Sequence, residues 1–91
     1  MPKVKYFAVF KEKTKKREEN IKGGTIKEIL NEIADQYGDE MRKLIFDERG
    51  NLRDYVTILL NSKIVKIDEI DKKIGENDEI AIFPPVSGGF L

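Results

Sequence analysis

Cysteine and histidine are both absent from the 91 residues. That excludes disulfides, thiolate nucleophiles, the usual zinc sites and the side chain best suited to proton transfer near neutral pH. A basic excess is missing too, because 17 Lys and Arg stand against 17 Asp and Glu. Nucleic acid is therefore not the expected partner. No apolar run approaches the length of a membrane span, and Met1-Pro2-Lys3 before a β-like run is no signal peptide. The expectation is a cytoplasmic protein with no membrane partner. What is present is charge: 37% of residues, mostly Lys and Glu, with Asn and Gln few. This balance leans toward a thermophilic source. The hydrophobic fraction of 40% is enough for one domain, burying roughly 60–65% of its unfolded surface.

Residues 3–10 read as a strand, with Val4, Tyr6, Ala8 and Phe10 inward and Phe7 and Val9 outward. Lys11 to Lys16 then forms a charged hairpin tip, for which solvation is preferred over phosphate or RNA contact. Residues 17–22 make a charged edge strand anchored by Ile21. Thr25 to Tyr37 is the clearest helix. Ile26, Ile29, Leu30, Ile33, Ala34 and Tyr37 form one apolar stripe, Thr25 and Glu28 a capping box, and Gly38 a stop. Glu28 and Glu32 share a helix face, but nothing adjacent would bury or polarise them for acid–base work.

Met41, Leu44 and Ile45 suggest a further helical turn, and residues 47–51 a surface turn. Tyr55 to Leu60 is a strand with Val56, Ile58 and Leu60 inward. Asn61-Ser62 turns into a short strand at Ile64-Val65, and Ile67, Ile70 and Ile74 space like a helical connection. Residues 75–78 turn into a last strand with Ile80 and Ile82 inward. The order is β-β-α-β-β-β, an α+β arrangement that fits a ubiquitin-like β-grasp. Its mixed sheet carries one main helix on one face, with the first and last strands parallel at the centre.

The outward phase leaves Phe7, Val9, Leu59, Ala81 and Phe83 on the second face of the sheet. Apolar side chains clustered on neighbouring strands mark a docking site. The alternative is that residues 39–54 fold over this face and make it a minor core. Phe83 runs directly into Pro84-Pro85-Val86-Ser87-Gly88-Gly89, so docking here would aim that tail at the partner. Two prolines end the ladder and favour an extended exit. Gly88 and Gly89 lack a Cβ and can thread a channel too narrow for a side chain. Residues 1–83 thus form the domain and residues 84–91 the tail.

Asp78-Glu79-Ile80-Ala81-Ile82-Phe83-Pro84-Pro85-Val86-Ser87-Gly88-Gly89 resembles the closing signature of the ubiquitin-like sulfur carriers. The likeness is strongest to the MoaD family, the small subunit of molybdopterin synthase. Lys3-Val4-Lys5-Tyr6-Phe7-Ala8 is similar to that family's opening stretch. The resemblance implies a β-grasp cosubstrate with no catalytic side chain of its own and no bound cofactor. A MoeB-like activating enzyme would spend ATP to adenylate the Gly89 carboxylate, and a sulfur donor would convert it to a thiocarboxylate. The tail would then enter a MoaE-like large subunit and build the dithiolene of molybdopterin or tungstopterin.

Gly88 and Gly89 would carry the chemistry in that scheme. Phe7, Val9, Leu59, Ala81, Phe83, Pro84, Pro85, Val86 and Ser87 would meet the partner. Asn77 stands where the family has glycine, in a turn whose left-handed conformation asparagine tolerates. Phe90 and Leu91 follow Gly89, which implies trimming by a peptidase; loss of activation and an artefact of the sequence are the alternatives. Competing roles are a ubiquitin-like modifier conjugated to lysines through Gly89, a ThiS-type carrier for thiamine or tRNA thiolation, and a non-activated binding module.

Overall fold

Lys3–Tyr6 (β1) and Glu79–Phe83 (β5), far apart in sequence, lie side by side in parallel, with Val4 opposite Ile80 and Tyr6 opposite Ile82. The computed structural model describes residues 1–84. Between the two strands come α1 (Val9–Thr14), β2 (Glu18–Asn20), α2 (Ile26–Tyr37), α3 (Asp39–Ile45), β3 (Thr57–Leu60), β4 (Lys63–Ile64) and a 3-10 turn (Ile67–Glu69). The sheet order is β2-β1-β5-β3-β4. All neighbours other than β1 and β5 are antiparallel. This is the expected mixed sheet of a ubiquitin-like β-grasp. Expectations placed on Pro85, Val86, Ser87, Gly88, Gly89, Phe90 and Leu91 lie outside the described residues.

The core sits between one face of this sheet and the helices. Val4, Tyr6, Ile58, Ile80 and Ile82 point into it from the strands, and the α2 stripe from Ile26 to Ala34 meets them. Thr25 caps α2 by accepting the Glu28 amide at 3.1 Å. The Glu28 carboxylate reaches one residue further back than a capping box requires, accepting from the Gly24 amide at 2.9 Å. Gly38, at φ +98°, both ends α2 and opens α3, a backbone setting that suits glycine. Met41 and Ile45 of α3, followed by Phe46 and Leu52, are buried in the same core. Residues 39–54 therefore thicken the helical layer and do not form a second core on the far face of the sheet.

The first strand is shorter than the alternation suggests. It stops at Tyr6, Ala8 takes φ 53° and ψ −124°, and Val9–Thr14 coil into α1. The Lys11–Lys16 hairpin tip is thus a helix that ends in a left-handed Lys15 at φ 62°. Phe10 is buried as expected, but from a helix, where Thr14 four residues on joins it. Ala8, expected inward, is exposed. Two other details differ. Tyr55 precedes β3 and is exposed, and Asn77 keeps a negative φ, so its turn needs no left-handed residue. Left-handed conformations are found instead at Asn61 (φ 49°) and Ser62 (φ 73°). They form a two-residue hairpin turn whose twist suits β3 and β4.

The sequence offered no hint of a polar knot that closes the β2 edge. Glu19 accepts from the hydroxyls of Tyr6 and Tyr37, each at 2.6 Å, and pairs with Lys16 at 3.1 Å. Its side chain is only 12% exposed. Burial alone would raise the Glu19 carboxyl, but the hydrogen bonds from Tyr37, Tyr6 and Lys16 outweigh it and hold the pKa below the ordinary value. Burial and then the Glu19 bond push the Tyr6 phenol up, so it stays a donor.

A carboxyl whose pKa is lowered by folding stabilises the fold above its ordinary value and loses that contribution as pH falls through the lowered one. Glu19→Gln should therefore destabilise the protein at neutral pH by about 1–3 kcal/mol. It should also flatten part of the acid limb of the stability profile. Urea midpoints of the two proteins measured across the acid range check both outcomes; parallel acid limbs would refute the assignment.

Candidate docking face and tail exit

Side chains alternate across a strand, so the residues that do not enter the core define the second face. Register sets them in rows. Lys5 and Leu59 flank Ala81, with Thr57 beside Phe83. One step past the last β1–β5 pair, Phe7 meets Phe83: the rings are stacked, 4.2 Å between centroids and 7° between planes. Phe7 remains 37% exposed, and Leu59, Ala81 and Phe83 are half-buried.

The face is polar at one end and apolar at the other. Near the start of β1 and β5, Lys3 pairs with Glu18 and Lys5 with Glu79, each at 3.3 Å. Toward the end of β5 these ion pairs give way to Phe7, Phe83, Leu59 and Ala81. Ala81 lies between Lys5 and Leu59. Half-buried Pro84 follows Phe83 immediately and ends the ladder because proline has no N–H to donate. The apolar end of the face is therefore the end from which the tail departs.

Val9 does not belong to this face. It opens α1 and packs against the core. Its outward strand phase ceased to apply when the chain left the sheet at Tyr6. Phe7, Leu59, Ala81, Phe83 and Pro84 are brought together; Pro85, Val86, Ser87, Gly88 and Gly89 lie outside the described residues.

β5 is held at its start as well. Asn61 donates from Nδ2 to Asp78 Oδ1 and accepts the Glu79 amide at Oδ1, both at 2.9 Å. Asp78 Oδ2 accepts the Gly75 amide at 2.7 Å. The Gly75 amide, then Asn61, hold the Asp78 carboxyl below its usual range. The turn that aims β5 is thus tied to the β3–β4 hairpin. A turn-forming Asn61 was visible in the sequence; its partner 17 residues away was not.

Comparison with known proteins agrees with this geometry. Residues 4–89 match the ThiS family. Small archaeal modifier protein 3 of Haloferax volcanii is 29% identical over 66 residues, covering 71% of this chain and 70% of that protein. Among solved structures, small archaeal modifier protein 1 of Methanosarcina acetivorans superposes with a TM-score of 0.82 at 31% identity, covering 96% of this chain and 94% of its own. A proposed molybdopterin converting factor subunit 1 from Pyrococcus furiosus gives 0.67 at 29% identity, with coverage of 92% and 95%.

Because Phe7 and Phe83 stack outside the core, truncating either should cost about 1–2 kcal/mol and leave the fold intact. Native circular dichroism with a slightly lowered melting temperature is the expected result for Phe7→Ala and Phe83→Ala. Loss of cooperative unfolding in both would mean that this face is structural core.

Proposed function

Because the chain belongs to the ThiS family of ubiquitin-like β-grasp proteins, we propose that it is an acyl carrier working through the carboxylate of Gly89. The single observation that supports this reading best is the Phe7–Phe83 stack beside Pro84. A partner seated on that stack lies where the tail leaves the domain. The chemistry needs nothing from the carrier except a carboxylate that can reach another protein's active site, in keeping with a sequence free of Cys and His.

In the proposed cycle a MoeB-like activating enzyme binds the sheet face and draws in the tail. The Gly89 carboxylate attacks the α-phosphate of ATP, and pyrophosphate leaves. Hydrosulfide delivered at that enzyme displaces AMP, so the acyl C–O bond to AMP breaks, a C–S bond forms and the sulfur's proton is lost, leaving the thiocarboxylate. The thiocarboxylate then enters a MoaE-like large subunit, where its sulfur bonds to the pterin precursor and water cleaves the acyl C–S bond to restore the Gly89 carboxylate. Two such transfers build the dithiolene of molybdopterin or tungstopterin. The family match closes at Gly89, and Phe90 and Leu91 follow. Cleavage of the Gly89–Phe90 bond by a processing peptidase therefore precedes activation. Gly88 supplies the bare backbone that passes through the partner's channel.

A second reading is favoured by the 31% identity to a small archaeal modifier protein. Here the same adenylate is captured by a lysine amine, and Gly89 becomes one side of an isopeptide bond. The two readings share docking and activation and part at the nucleophile.

Intact mass spectrometry of the protein recovered from its native host separates them. A species ending at Gly89 and heavier by the replacement of oxygen with sulfur is the result expected for a carrier. Isopeptide-linked products on other proteins, without that species, would favour the modifier. Recovery solely with Phe90 and Leu91 attached, from cells making the pterin cofactor, would sink both.

A further inference from the structure

The stretch 11–17 contains five cations (Lys11, Lys13, Lys15, Lys16 and Arg17) and one carboxylate (Glu12), a net +4. The whole chain sums to 0, so the remaining residues sum to −4. Helix α1 sorts these charges by its period. Phe10 and Thr14, four apart, are buried, and Lys11 and Lys15, four apart, are exposed. Lys13 is paired with Glu40 at 2.5 Å and Lys16 with Glu19 at 3.1 Å. Among the described residues, no carboxylate lies within ion-pair distance of Lys11, Lys15 or Arg17.

Those three cations line an open depression of about 520 Å³ together with Ala8, Glu12 and Lys16, so cations outnumber the one carboxylate there four to one. Lys11 and Arg17 also line an adjoining one of about 380 Å³ together with Lys5, Phe7 and one carboxylate, Glu18, which is paired with Lys3. The unpaired charge therefore borders the docking face at its Phe7 corner. A protein large enough to cover the Phe7–Phe83 stack would lie over it.

We propose that Lys11, Lys15 and Arg17 are the cationic rim of the docking face, and that the protein which seats there presents carboxylates opposite them. This rests on the docking reading above. The rim has the composition that steers encounter: long, exposed, unpaired cations that lose little water until a partner arrives. Arg17 adds a planar fork that matches a carboxylate with two parallel hydrogen bonds. Charges at a rim set association rate and partner choice more than final affinity. The rim suits a protein better than a nucleic acid. An extended polyanion would run beyond these cations onto a chain whose remaining residues sum to −4, whereas a local group of carboxylates would not.

The test uses the chain trimmed to Gly89 and the adenylating enzyme of the same organism, with association followed by stopped flow from low to high salt. Wild-type association should slow steeply with salt. The double variant Lys11→Glu, Arg17→Glu should associate about tenfold more slowly or worse at low salt, with a flattened salt dependence. Phe83→Ala should instead speed dissociation and keep the wild-type salt dependence. A charge-reversed variant with wild-type kinetics, alongside a weakened Phe83→Ala, overturns the rim and leaves the docking face standing. If Phe83→Ala binds like wild type, the docking face falls and the rim with it. Binding of labelled oligouridylate that the double reversal abolishes, with enzyme association untouched, would assign these cations to RNA. The Lys11→Gln, Arg17→Gln variant guards against misfolding; it should fall between wild type and the reversal, and wild-type kinetics from it count against the rim.

Discussion

Parallel pairing of β1 with β5 is the constraint from which the rest follows. Two parallel neighbours cannot be joined by a hairpin; the connection must leave the sheet and return. Here everything from Phe7 to Asp78 is that connection, and it contains all three α-helices and the other three strands. The strands extend the same sheet, while the helices on one side of it bury Val4, Tyr6, Ile80 and Ile82. Among the described residues no helix covers the opposite side, so Leu59, Ala81 and Phe83 stay only half-buried and Phe7 exposed. Exposure of that face follows from having the helical material on the other.

The edges of the sheet are managed differently from its open face. β2 presents Glu18 opposite Lys5 and paired with Lys3, and charge on an edge discourages pairing with other chains. β4 is only two residues long, Lys63–Ile64, too short to template a new strand. Strand addition at either edge is thereby disfavoured. Glu19 contributes from within: its carboxylate gathers hydroxyls from β1 and α2, so the edge strand is fastened to both layers by a single side chain.

Much of this was legible in the sequence, for identifiable reasons. The α2 stripe and the Ile80/Ile82 alternation each repeat one period long enough to leave no second interpretation, and the apolar residues in opposite phase revealed the open face. Helix α1 was missed because two periods coincide there. Val4, Tyr6, Ala8 and Phe10 alternate as a strand does, while Phe10 and Thr14 are spaced as a helix needs, and the second pattern is only six residues long. Val9 was misplaced as a consequence. Glu19 was hidden for another reason. It is one of two adjacent glutamates, and its hydroxyl donors are 13 and 18 residues away, so only the register of the folded sheet selects it.

The position of β5 also decides how the domain bears mechanical load. Four residue pairs join it to β1 and four to β3, and in the sequence the Gly-Gly stretch follows it. A force applied to the chain beyond Phe83 reaches the domain through β5 and is resisted from both sides. Hydrogen bonds loaded in this way are sheared as a group; they cannot be peeled off one after another as on an edge strand. The strand that delivers the tail is thus also the best placed in the sheet to withstand being pulled.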